Sequence, residues 1–116
     1  MASMPAAVMY QHQTIAQQDV QATAAQVVQI PVMVQNGTIN ITATLSYTES
    51  GFASATLDLS GCGSTDFGLQ MGNVMGSSGP AVLCMAATPG AQTASLNVQG
   101  EVLGTITIEA DVPMAM

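Results

Sequence analysis

The stretch Gln26–Tyr47, QVVQIPVMVQNGTINITATLSY, decides the fold class of this chain. Past Asn36-Gly37, the residues Ile39, Ile41, Ala43, Leu45 and Tyr47 alternate with Thr38, Asn40, Thr42, Thr44 and Ser46. Successive side chains of an extended chain point to opposite faces, so the alternation makes one apolar row and one row of hydroxyls and amides. A half-buried antiparallel strand has this character. Before the turn, Val28, Ile30, Val32 and Val34 keep the same period. Asn-Gly most cheaply supplies positive φ at both centres of a type I′ turn, so the two runs are expected to pair with each other as a hairpin. Pro31 cannot donate to a ladder, which assigns the first run to a sheet edge or a bulge.

Downstream, Phe52–Ser60 puts Ala53, Ala55, Leu57 and Leu59 on one face and Ser54, Thr56, Asp58 and Ser60 on the other, extending the hairpin to a meander. From Gly61 to Pro80 glycine and serine dominate, with Phe67, Leu69, Met71, Val74 and Met75 scattered among them. The expectation there is one short strand over Phe67–Met71 inside an irregular surface excursion, the kind of loop where contacts concentrate. Ala81–Ala87, AVLCMAA, is a continuous apolar run expected to be buried on both sides. Alternation returns in Thr93–Gln99 and Val102–Val112, with Gly100-Glu101 between them. The chain therefore reads as all-β, a small antiparallel β-sandwich or barrel of about 6–8 strands.

Upstream, residues 1–25 are rich in alanine and glutamine. Thr14 and Gln17 have the spacing of a capping box for a short helix, while Val20, Ala22 and Ala24 share the period of the first strand. Neither pattern makes an apolar stripe of useful width. The organisation expected is an N-terminal arm over residues 1–25, ordered on a partner, followed by a β-domain over residues 26–116.

Composition narrows function by exclusion. The 116 residues include no lysine and no arginine, against seven carboxylates and one histidine, for a formal net charge of −7. Charged residues are 6% of the chain, where about 25% is usual. Nucleic-acid binding needs cations to displace the counterions held by phosphates, and anionic membranes ask for the same, so both partners are excluded. No apolar run approaches the roughly 20 residues of a membrane helix. MASMPAAVMYQHQT lacks a basic n-region and an apolar h-region, so synthesis in the cytoplasm without a signal peptide is expected. A chain without Lys or Arg also cannot build the cationic self-repulsion that unfolds most proteins in acid.

The residues capable of chemistry are few. Cys62 and Cys84 are a candidate disulfide pinning the glycine-rich stretch to the apolar run, although a reducing cytoplasm would favour two thiols. Without CxxC spacing they are not a zinc site. His12 has no identifiable nucleophile beside it and reads as a solvated or interface residue in preference to a general base. Nine methionines, with Met1, Met4 and Met9 near one terminus and Met114 and Met116 at the other, could offer thioethers to Cu(I), but their irregular spacing better suits adaptable packing surfaces. Glu109 and Asp111 share a strand face and supply too few oxygens for calcium. Asn36-Gly37-Thr38 and Asn40-Ile41-Thr42 match the glycosylation pattern, which reads as coincidence without an export signal. No catalytic residue, cofactor or metal is expected.

Sheets present unpaired N–H and C=O groups at their edges, usually guarded by lysine, inward charge, proline or bulges. Lysine is absent here, so neighbours are expected to cover these edges. The resulting expectation is a non-enzymatic structural assembly protein, homo-oligomeric, that binds a larger protein shell in many copies through its arm and loops, in the manner of a bacteriophage capsid decoration or cement protein on a virion surface. An alternative is a surface or extracellular filament subunit assembled by β-strand donation. A second is a small ligand- or carbohydrate-binding β-module, for which the aromatic residues are sparse. Expected assembly contacts are Tyr10, His12, Ile15 and Val20 in the arm and Phe67, Leu69, Met71 and Met75 in the glycine-rich stretch.

Overall fold

A computed structural model describes residues 9–23, 25–50, 54–67 and 76–114, with the backbone alone for residues 49 and 50. Its strands are β1 (Tyr10–Ala22), β2 (Gln26–Val34), β3 (Ile39–Ser50), β4 (Ser54–Leu59), β5 (Gly63–Phe67), β6 (Gly76–Ala86), β7 (Gly90–Gln99) and β8 (Val102–Pro113). They form two four-stranded sheets, one in the order β1-β8-β3-β6 and the other in the order β2-β7-β4-β5. Every pairing is antiparallel. Pairs β1/β8, β2/β7, β3/β6 and β4/β5 nest inside one another, as if one long hairpin with its tip at β4–β5 had been rolled up. A two-sheet sandwich wound in this way is a jelly roll.

The period-two rows meet between the sheets. Ile41, Ala43, Leu45 and Tyr47 of β3 and Ile106, Ile108, Ala110 and Val112 of β8 face Ile30, Val32 and Val34 of β2, Ala55, Leu57 and Leu59 of β4 and Ala94, Leu96 and Val98 of β7, all buried. Each fully buried Leu, Ile or Val contributes roughly 1.5–3 kcal/mol relative to exposure. A single change such as Leu96→Ala would open a cavity at the centre of this layer.

Several expected partnerships are corrected. β2 and β3 lie in different sheets, so the Asn36-Gly37 turn is a corner between sheets and no hairpin. Thr38 N–H donates to Gln35 O at 3.1 Å, and Gly37 alone of the two central residues has positive φ, at 86°. That is the signature of a type II turn, which splays its flanking strands where a type I′ turn would align them. The meander fails for the same reason, since β3 and β4 also occupy different sheets; among the described strands only β4 and β5 form a local hairpin. Alternation in sequence specifies which face of a strand is buried and is silent about its neighbour.

The glycine-rich stretch holds more order than expected. Gly63–Phe67 is β5, whose Ser64 and Asp66 lie opposite Asp58 and Thr56, and residues 76–80 open β6 against Tyr47, Ser46 and Leu45. Residues 68–75 of the expected excursion lie outside the described residues. Ala81–Ala87 is not buried on both sides: β6 is a sheet edge, Leu83 points inward, and Val82 and Met85 are exposed. Residues 10–22 of the expected arm form β1, paired with β8 from Tyr10↔Pro113 to Ala22↔Val102. Pro31 lies on an edge strand, as its missing donor requires, because β2 borders its sheet.

Candidate functional site

Two features on the β1 side of the sandwich carry the polar and apolar singularities of the molecule. The first is built on the outer face of the β1-β8-β3-β6 sheet. Glu109 and Asp111 project from β8 on one face, two residues apart, and His12 of β1 lies opposite Asp111 in register. His12 Nδ1 is 3.0 Å from Asp111 Oδ1 and Nε2 is 2.9 Å from Glu109 Oε2. Asn40 Nδ2 of β3 donates to the other Asp111 oxygen at 2.9 Å. Asn40 reaches it from a left-handed backbone, φ 55°, which asparagine tolerates better than most residues.

The electrostatics follow from that geometry. Ionised carboxylates only accept hydrogen bonds, so two of them on one ring favour the imidazolium, which donates from both nitrogens. Hydrogen bonding to Asp111, then to Glu109, raises the His12 pKa above its usual 6.5. Asp111 is held below its usual 3.8, first by Asn40 and then by His12. The bridge is exposed to solvent, with 58% of the His12 side chain accessible, and so acts as a local clasp of β1 on β8 in place of a large stability element. Both ring nitrogens being occupied, neither is available to deprotonate a nucleophile. Among the described residues no group of three or more His, Cys, Asp or Glu is placed to hold a metal ion.

The second feature is apolar. Ile15 of β1, Pro31, Val32 and Met33 of β2, and Ala91 and Gln92 of β7 line an open groove of about 290 Å³ between the sheet edges. Ile15 is the extra residue of a β-bulge, where Thr14 pairs with Glu109 and Ala16 with Ile108. The bulge changes which residues of β1 face outward, from His12 and Thr14 before it to Gln17 and Asp19 after it. Gln17 donates to Thr107 and Thr105 donates to Asp19, each at 3.2 Å. Met9, Tyr10, Met33, Met85 and Met114 are exposed toward the end of the sandwich where β1, β3 and β7 begin.

The opposite side is closed covalently. Cys62, in the turn before β5, forms a disulfide with Cys84 of β6, joining the two sheets across a Cα–Cα distance of 5.4 Å. Of the expected contacts, Tyr10 and His12 are exposed on β1, and Ile15 is half-buried in the groove. Val20 and Phe67 are corrected to core positions at 1% and 4% exposure, since each falls on the inward row of its strand. Leu69, Met71 and Met75 lie outside the described residues. His12 is solvent-exposed, as expected, and in addition bridges the carboxylate pair. Asn40 and the groove residues Ala91 and Gln92 had no sequence signal, because the register that gathers them is not local. Comparison with known proteins finds no matching family model, curated protein or solved structure.

Proposed function

We propose that this chain is a structural subunit that covers a larger protein shell in many copies, in the manner of a bacteriophage capsid decoration protein. The observation that carries the reading is a pair of sheets bounded by β1, β2, β5 and β6 in a chain without lysine or arginine. Native edges are usually guarded by charge; here the charged side chains on edge strands are His12 and Asp19 of β1 and Asp66 of β5, and the other guards are a bulge in β1, Pro31 in β2, the shortness of β5 and the register shift at Gly79-Pro80 in β6. Such guards interrupt pairing locally and leave the remaining backbone groups open to a designated neighbour. The acidic surface suits a basic receiving lattice. Jelly rolls recur in viral capsid proteins, a support by analogy of fold. A disulfide joining the sheets fits service outside a reducing compartment. With residues 10–22 docked as β1, contact passes to strand edges and end loops in place of a free arm.

Immunogold labelling tests this. Antibodies to the protein would be applied to particles and filaments purified from the cells that make it. Regularly spaced label on closed shells is expected; label confined to filaments would transfer the reading to a strand-donating filament subunit, for which the groove beside β1 is the supporting feature.

A further inference from the structure

We propose that β1 pairs antiparallel with β1 of a second copy about a two-fold axis between Ile15 and Ala16, joining the two β1-β8-β3-β6 sheets into one. The inference deepens the assembly reading and rests on it. β1 is 13 residues long and borders its sheet, with β8 as its one ladder partner among the described residues. Its outward row is self-complementary about the bulge: the two-fold sets Tyr10 against Gln21, His12 against Asp19 and Thr14 against Gln17. His12 is the only basic side chain of the whole protein and Asp19 the only acid on β1, and they stand equally far from the proposed axis.

The bulge makes this symmetry possible. Residues directly opposite one another in an antiparallel ladder lie on the same face. In an unbroken strand His12 and Asp19, seven positions apart in a period of two, would lie on opposite faces and could not meet across a two-fold. The extra residue at Ile15 places both on the outer face. Across the new ladder, Asp19 of the second copy would meet the imidazolium through its charge alone, since both ring nitrogens are engaged by Glu109 and Asp111 of their own copy. The apolar groove supports the same position. Ile15 lines it at the proposed axis, so pairing brings two grooves, each rimmed by an exposed Met33, against one another. An isologous contact of this kind closes after two copies and does not run on into a fibre.

Two cysteine variants read the register directly. Thr14→Cys and Gln17→Cys are exposed substitutions, and each variant keeps the Cys62–Cys84 bridge. Mixed and air-oxidised, they are expected to give a covalent dimer on a non-reducing gel, with several-fold less from either variant alone. Equal cross-linking in the unmixed samples would overturn the pairing. Sedimentation of the native protein should show a dimer that strengthens with salt as the copies' like charge is screened, and Asp19→Lys should weaken it by about tenfold or more by setting a second cation against His12. A native protein that sediments as a monomer throughout overturns the pairing even where immunogold finds it on shells, and that result would leave the assembly reading intact.

Discussion

The two sides of the sandwich are closed by different means. Along β5 and β6 a disulfide ties one sheet to the other, so separation there requires reduction of a covalent bond. Along β1 and β2 no described bridge joins the sheets covalently; β1 is held by its ladder to β8 and by the exposed clasp of His12 on Glu109 and Asp111, beside an apolar groove. One side is closed covalently and the other is not. The proposed assembly contact is therefore placed on the β1 side, and perturbing either side tests that proposal.

The largest effect is expected at the fixed side. Replacing both cysteines, Cys62→Ser with Cys84→Ser, should cost about 3 kcal/mol for a bridge closing a loop of this size, read as a lower midpoint in denaturant. Next is Gly104 of β8, where an added Cβ would collide with the Ser46 carbonyl oxygen and lie 2.7 Å from Tyr47 Cα of β3. Gly104→Ala should cost about 1–3 kcal/mol and loosen β8, the strand that carries β1. A smaller gain is expected at the corner between β2 and β3. Thr38 is buried at 2% exposure and its hydroxyl is without a partner, so Thr38→Val should raise stability by about 1 kcal/mol.

The clasp gives a smaller signal with a defined pH dependence. Because the folded His12 pKa is raised, its contribution is complete below 6.5 and fades as pH rises through the raised value. Asp111 behaves oppositely, contributing above 3.8 and losing that contribution as pH falls through its lowered value. The difference in melting temperature between the native protein and His12→Gln should therefore be widest between these limits and shrink on either side. A pH-independent difference would show that the clasp does not work through charge. The smallest effect is expected in strong acid: far-UV circular dichroism at pH 2 should keep its β signal, because no lysine or arginine is present to drive the sheets apart.

The facing of the core was legible because burial leaves a period-two mark on each strand. Ile41, Ala43, Leu45 and Tyr47, like Leu96 and Val98, are buried where the alternation places them. Strand partnership left no such mark: β2 and β3 present complementary apolar rows whether they pair side by side or face each other across a core. Asn36-Gly37 identified a turn but not its type, and the type decides between a hairpin and a corner. Residues 10–22 read weakly because Gln11, Gln13 and Gln18 stand on the inward row of β1 and leave it without an apolar stripe, and because the bulge at Ile15 interrupts the period. The site was hidden for a different reason. His12, Asn40, Glu109 and Asp111 come from three strands far apart in sequence, and only the ladder brings them together.

Amide hydrogen exchange followed by mass spectrometry over a range of protein concentrations tests the open β1 edge most directly. The β1 amides that point away from β8 should exchange rapidly in dilute protein and become protected as concentration rises, while β5 and β6 remain unchanged. Protection of β1 that is independent of concentration would contradict the assignment of assembly to this side.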